Sequence, residues 1–453
     1  MRTQCPILPW LPQAVAAALL VTSCGSAADS NTTPDPAGGQ DDPANPAMVE
    51  DIRSTKARIT SPTVAGSELE QLTGDNAAFA LALYKQIIVE SGNKNAFYSP
   101  HSISSALAMA YAGAEGTSES QMQSALQFRL AEADLHPTFN KLDLELQSRA
   151  DAAGGSDDGS PFKLNIANAL WGQRDYPFEQ PFLDLLAQHY GAGLKGVDFR
   201  QQPEQARRAI NAWVEEATEN KIRDVLPRGA VDSLTRLVLT NAIYFKAGWA
   251  YGFEQSQTAP ANFTTASGDT VQVEMMSLKE SDGLAYATGD NWQAVELPYV
   301  GEKVSMVVIV PDAGVFDQVE DSLSATSLFA LFDDLAPQAV ELQLPRFGIE
   351  SKFSLRAMLG ALGMSAAFDP QEADFSGMST AEQLFINDVI HQAFVSVDEE
   401  GTEAAAATAV TIGTTSISTP EYVNVTVDRP FIFVIRDRET NAVLFIGRVL
   451  DPS

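Results

Sequence analysis

Residues 399–410 read EEGTEAAAATAV, an acidic pair, a glycine, a threonine and then a run of small residues. Read as a helix, the stretch has Thr402 as its cap and Glu403 in the first turn. The run is short, though, and isolated helices below roughly 12–15 residues are marginal in water. TAVTIGTTSIST at 408–419 follows and is β-branched and turn-forming. Read as a strand, Thr402, Ala404, Ala406, Thr408, Val410 and Ile412 share one face, and Glu403, Ala405, Ala407 and Ala409 share the other. The first face is small or apolar and uncharged, which suits burial, while Glu403 points to solvent. No proline lies between Gly401 and Thr419, so every amide is free to pair on both sides of a central strand. Gly401 is the natural pivot, since it tolerates backbone angles that other residues do not. The stretch is competent to enter a sheet along its useful length, with a helical turn as the alternative for its exposed form.

Strand patterns surround it. AVELQLPRF at 339–347, HQAFVSV at 391–397 and RPFIFVIRD at 429–437 are β-branched or alternating, as is KVSMVVIV at 303–310. Helical periodicity dominates earlier. Phe79, Leu83 and Ile87 recur every four residues, Ile103, Leu107 and Ala110 recur at helical spacing, and Ile210, Trp213 and Ala217 share a face of QPEQARRAINAWVEEATENKI. Helices followed by runs of strands predict an α+β fold, with one domain over 67–453. The low-complexity DAAGGSDDGS at 151–160 is short enough for a surface loop.

The amino terminus reads differently. Arg2 precedes the apolar AVAAALLV, and VTSC ends at Cys24 with the pattern of a bacterial lipobox, so 1–23 is expected to be a signal and Cys24 the lipidated first residue. The other cysteine, Cys5, would leave with the signal, and a mature domain without further thiols needs no disulfide in an oxidising compartment. Residues 24–66 are rich in Ser, Thr, Asn, Pro, Asp, Gly and Ala and predict a disordered tether. The protein is therefore expected to be exported and lipid-anchored to the bacterial envelope or surface, or otherwise periplasmic or extracellular, meeting membrane only through that anchor.

With 59 acidic against 29 basic residues the net charge is −30, which repels phosphate backbones and argues against nucleic-acid partners. GAGLKG at 191–196 has the glycine spacing of a dinucleotide fingerprint, but a helical segment precedes it and a short apolar run follows, the reverse of the required order; a helix-terminating glycine turn is the better reading. No GxxxxGK[ST], HExxH, CxxC or GxSxG motif occurs, and His101, His136, His189 and His391 lie far apart in sequence, so neither a metal site nor a cofactor is expected. A serine triad around His391 or His101 stays open on sequence, because triads assemble across a fold.

Four blocks together resemble the serpin family of protease inhibitors: NAFYSPHSISSALAMAYAGAEGTS at 95–118, LTNAIYFKAGWAYGFEQSQT at 239–258, LQLPRFGIESKFSLRAMLGALGMSAAFDPQEADFSGMS at 342–379 and DRPFIFVIRDRETNAVLFIGRVLDP at 428–452. The resemblance implies three β-sheets, eight or nine helices and an exposed reactive-centre loop over the central sheet; serpin loop insertion is an established instance of a strand joining a sheet. It implies no enzyme but an inhibitor of serine endopeptidases, with cysteine endopeptidases as the alternative, in which the protease cuts the loop, forms an acyl-enzyme and is trapped covalently as the loop inserts. Glu399, Glu400, Gly401, Thr402, Glu403, Ala404, Ala405, Ala406, Ala407 and Thr408 fall on the family's loop hinge; Ser99, Ser102, Asn241 and His391 on its shutter; Trp249 and Glu399 on its breach. The family's spacing from Gly401 places the reactive bond at Thr415-Ser416, and counting back from Pro430 gives Thr419-Pro420; Ile412-Gly413 and Ile417-Ser418 are further candidates. No lysine or arginine lies between Gly401 and Val427, which argues for an elastase-like or subtilisin-like target and against a trypsin-like one. The region after Asn140 lacks the basic cluster of heparin-regulated relatives, so no polyanion cofactor is expected, and the protein should be a monomer. The competing reading is a non-inhibitory serpin fold used for binding or as a structural surface lipoprotein.

Overall fold

Two hydrogen-bonded sheets organise the described residues, and Gly401–Thr402 enters one of them. A computed structural model describes residues 49–152, 163–402 and 421–453. The signal, Cys24, residues 403–408 of the hinge, Thr415 and Ser416 lie outside the described residues.

The seven-stranded sheet runs in the order Glu50–Ile52, Leu194–Val197, Lys163–Gln173, Leu237–Gly248, Gly401–Thr402, Val389–Val397 and Phe347–Ser354. Leu237–Gly248 and Val389–Val397 also pair directly with each other. The nine-stranded sheet holds the carboxy-terminal hairpin Phe431–Asp437 and Val443–Val449, between Val304–Pro311 on one side and Ala96–Tyr98 on the other. Two of the three expected sheets are joined here into one ladder. The 20-residue strand Thr270–Gly289 pairs with Ala259–Thr264 along its first part, with Ala336–Pro345 from Met275 to Tyr286 and with Trp292–Pro298 at its end.

Nine α-helices are present among the described residues, so the structure is α+β as predicted. The periodic segments fall in Gly66–Ser91, Pro100–Tyr111 and Pro203–Ala217. Helix Pro100–Tyr111 is buried almost throughout and starts at a Ser99 cap, whose hydroxyl accepts from the Ser102 amide, followed by Pro100 in the first turn. Helix Pro203–Ala217 contributes Ile210 and Val214 to a separate apolar cluster with Trp171 and Val238, residues of two neighbouring central-sheet strands. Gly191 ends helix Gln180–Tyr190 in the left-handed conformation, so GAGLKG is a helix terminus leading into strand Leu194–Val197.

Part of the segment expected to be tether is folded. Residues 49–65 lie on the folded body, with Glu50–Ile52 pairing antiparallel to Leu194–Val197, and helix Gly66–Ser91 begins where the tether was expected to end. Three residues of strand are too few for a periodicity signal, and the Pro, Ser and Thr around them read as linker.

Candidate functional site: the seam of the central sheet

The two strands that flank Gly401–Thr402 make a seam. Below, Val389–Phe394 pairs in parallel with Leu239–Tyr244, with His391 opposite Asn241. Above, the strands part and Gly401–Thr402 sits between them, antiparallel to both, with Thr402 opposite Val397 and opposite Ala247. Thr402 is fully buried, and its hydroxyl shares a 2.7 Å hydrogen bond with that of Tyr299. At Gly401, φ is +155° and a Cβ would lie 2.1 Å from the Ala247 carbonyl oxygen, so close backbone approach as well as conformation requires glycine.

The entrance above is held by Trp249 and Glu399. Trp249 is buried, donates its indole N–H to the Asp398 carbonyl at 2.9 Å, and stacks on Tyr299 with centroids 4.6 Å apart. Its backbone N–H reaches the Glu400 carbonyl at 3.0 Å, and that of Phe253 reaches Glu399. Glu399 accepts from Arg346 Nε at 2.9 and 3.0 Å, from the second guanidinium nitrogen at 2.5 Å, and from Thr258. Burial pushes its carboxyl up, but the Arg346 and Thr258 hydrogen bonds outweigh this and hold it below its ordinary value. Tyr299→Phe should leave the Thr402 hydroxyl without this partner at a cost of about 1–2 kcal/mol. Thermal unfolding should show a Tm lowered by a few degrees, and an unchanged Tm would show that the contact contributes nothing.

Beneath the seam, Ser99, Ser102, Asn241 and His391 meet as one buried network, and the structure adds Asn168 to it. The Ser99 amide donates to His391 Nε2 at 3.2 Å, so the ring proton is on Nδ1, which donates to Asn241 Oδ1 at 2.5 Å. Asn241 Nδ2 donates to Ser102 Oγ at 2.6 Å and to Asn168 Oδ1 at 2.5 Å. Ser102 Oγ donates to Asn168 Oδ1 at 2.9 Å, and Ser99 Oγ donates to the Leu444 carbonyl at 2.7 Å. The network thus links helix Pro100–Tyr111, both seam strands, strand Lys163–Gln173 and the carboxy-terminal hairpin. His391 Nε2 is occupied by a backbone amide, so this ring is no general base for a serine; His101 is buried with Nδ1 unpartnered. Among the described residues no cluster of three or more His, Cys, Asp or Glu could hold a metal ion.

Burial pulls the His391 ring down to about 3, partly offset by its bond to Asn241. An unfolded histidine protonates near 6.5. Between those values the unfolded chain binds the extra proton, so stability falls as pH falls below about 6.5, by up to about 1.4 kcal/mol per unit. Burial also pulls the His101 and His189 rings down, so denaturant unfolding at pH about 7, 6 and 5 should show a slope that His391→Gln makes shallower without abolishing it. Identical slopes in both proteins would remove His391 as the cause.

Comparison with known proteins places this arrangement. The family model described as "Serpin (serine protease inhibitor)" matches residues 74–452. A serpin-like protein of Thermococcus kodakarensis is 41% identical over 377 residues, 83% of this chain and 84% of that protein. Leukocyte elastase inhibitor A of Rattus norvegicus is 40% identical over 391 residues, 85% of this chain and 100% of the relative. Among solved structures, the thermophilic serpin tengpin in its native state aligns with a TM-score of 0.77 at 28% identity, covering 89% of this chain and 100% of its own. Uncleaved ovalbumin aligns with a TM-score of 0.74 at 28% identity, covering 84% and 100%. With the family model spanning residues 74–452 and relatives at this identity covering 83–85% of the chain, the chain belongs to the serpin family.

Proposed function

We propose that this protein inhibits serine endopeptidases as a suicide substrate, its cut loop entering the seam as a new strand and trapping the acyl-enzyme. The observation that carries this reading is Thr402, already seated between the parting seam strands in antiparallel register with both. Continued downward, the same register brings Ala404, Ala406, Thr408 and Val410 in turn between the two strands. Thr408 would come opposite both Asn241 and His391, offering a hydroxyl where their mutual hydrogen bond is lost on separation. A parallel pairing would be exchanged for two antiparallel ones, which are slightly more stable per residue, and this supplies a direction to the change. The protease contributes the catalytic groups; this chain contributes bait and a fold that gains a strand.

Thr415-Ser416 is the preferred reactive bond, since a proline after the cut makes Thr419-Pro420 a poor substrate. The small and β-branched side chains around it, with no basic residue from Gly401 to Val427, suit an elastase-like or subtilisin-like protease. That several relatives are named leukocyte elastase inhibitors agrees with this class. We place the protein on the bacterial envelope through a lipid on Cys24, which mass spectrometry of the mature amino terminus tests: an unmodified terminus elsewhere contradicts it.

Titration against elastase-like, subtilisin-like and trypsin-like proteases tests the function. Lasting inhibition near one inhibitor per protease is expected for the first two classes and simple turnover or no reaction for the third. Cleavage by every reactive protease without lasting inhibition would favour the non-inhibitory reading.

A further inference from the structure

The body carries a groove for an extended peptide at the edge of its central sheet, and residues 49–61 of the same chain fill it. Glu50, Asp51 and Ile52 pair with Gly196, Lys195 and Leu194. Ser54, buried, donates its hydroxyl to Asp184 on helix Gln180–Tyr190, and the Ile59 amide donates to the Gln188 carbonyl on the same helix at 2.9 Å. Arg58 then crosses to helix Glu132–Ala152, donating to Asn140 Oδ1 at 2.8 Å and Asp143 at 2.5 Å, while Asn140 Nδ2 returns a 2.7 Å bond to the Ile59 carbonyl.

Two features show that the groove is shaped for this occupant. Asn140 is fully buried and spends both ends of its amide on the segment, so an empty groove would leave it unpaired at a cost. A Cβ at Gly193 would stand 2.5 Å from the Ile52 carbonyl oxygen, and one at Gly196 would stand 2.8 Å from the Ile52 side chain. The glycine spacing that imitates a nucleotide fingerprint is thus the floor of a strand site.

The segment joins parts that must separate. For a strand to enter the seam, Leu237–Gly248 and the strands beyond it, out to Leu194–Val197, must shift from Val389–Val397 by about one inter-strand spacing, ~4.8 Å. Helix Glu132–Ala152 is fixed to the other sheet by the buried Arg149–Asp437 pair, at 2.7 and 3.2 Å. No hydrogen bond survives a displacement of that size. We propose that residues 49–61 are a strap that restrains opening of the central sheet; this rests on the insertion reading above and adds a restraint to it.

The test uses the full mature chain and a synthetic peptide of residues 402–412, TEAAAATAVTI, as a probe for sheet opening. Arg58→Ala removes the anchor, and Gly193→Val pushes the strap out through its floor. Arg53→Ala is the control, because Arg53 is exposed and its guanidinium pairs with Asp51 inside the same segment. Peptide uptake, followed by native electrophoresis and intact mass, should be about tenfold faster for Arg58→Ala and Gly193→Val than for the wild type and the control, the size expected for loss of a charged hydrogen bond. Should Gly193→Val fail to fold, Arg58→Ala decides alone. A wild type that traps protease, with variants that take up peptide at its own rate, overturns the strap and leaves the inhibitory reading standing. A wild type that neither traps protease nor takes up peptide overturns both.

Discussion

Thr402→Arg is expected to turn the inhibitor into a substrate: protease should cut the loop at an undiminished rate and emerge free. Thr402 is completely buried between Val397 and Ala247, with its hydroxyl on Tyr299. A guanidinium there would have to leave water without a counter-charge beside it, at a cost of several kcal/mol. On the proposed mechanism insertion races deacylation; with the charged side chain expelled from the seam, insertion has to begin by burying it, and slowing that step by a few powers of ten hands the outcome to hydrolysis. Gel analysis of timed mixtures checks this. The wild type should give a covalent complex and the variant only the two cleavage fragments. Equal yields of complex would show that insertion does not begin at this residue.

Asn241→Leu should have the next largest effect, and on the resting protein. The substitution keeps the branching at Cγ but removes the partner of His391 Nδ1–H and the donor to Ser102 and Asn168 in a buried site, and it adds bulk there. Stranded polar groups cost about 1–3 kcal/mol each, so a loss of roughly 3–5 kcal/mol is expected. Because Asn241 and His391 face each other across the closed part of the seam, the loss falls on the closed sheet. Calorimetry should show a clearly lowered Tm, and size-exclusion chromatography should show a rising share of inserted or associated material on warm incubation. A variant that matches the wild type in both measurements would mean the network does not hold the seam.

Much of this was legible in the sequence because it rests on periodicity and alternation. The buried helices announced themselves through Phe79, Leu83 and Ile87 or Ile103 and Leu107, and the alternation that sets Thr402 on an uncharged face agrees with its burial, while the alanines of that face lie outside the described residues. The four residues of the buried network were picked out by resemblance. Their chemistry was not readable, since only the register of strands distant in sequence sets Asn168 opposite Asn241 and Asn241 opposite His391. Asn168 offered one signal that could have been followed, an asparagine inside the apolar strand pattern of LNIANALW. Tyr299 and Arg346 were missed because each ends an apolar run where a polar terminus has many possible partners. The strap was missed for a different reason: its stability comes from a groove about 140 residues further along the chain, and nothing local distinguishes it from a linker.

Intact mass spectrometry of the product formed with an elastase-like or subtilisin-like protease tests loop trapping most directly. The account predicts an ester-linked adduct of the protease with this chain ending at Thr415, stable in denaturant, together with a released fragment 416–453. Free protease and a cleaved chain, with no adduct at any reaction time, would contradict it.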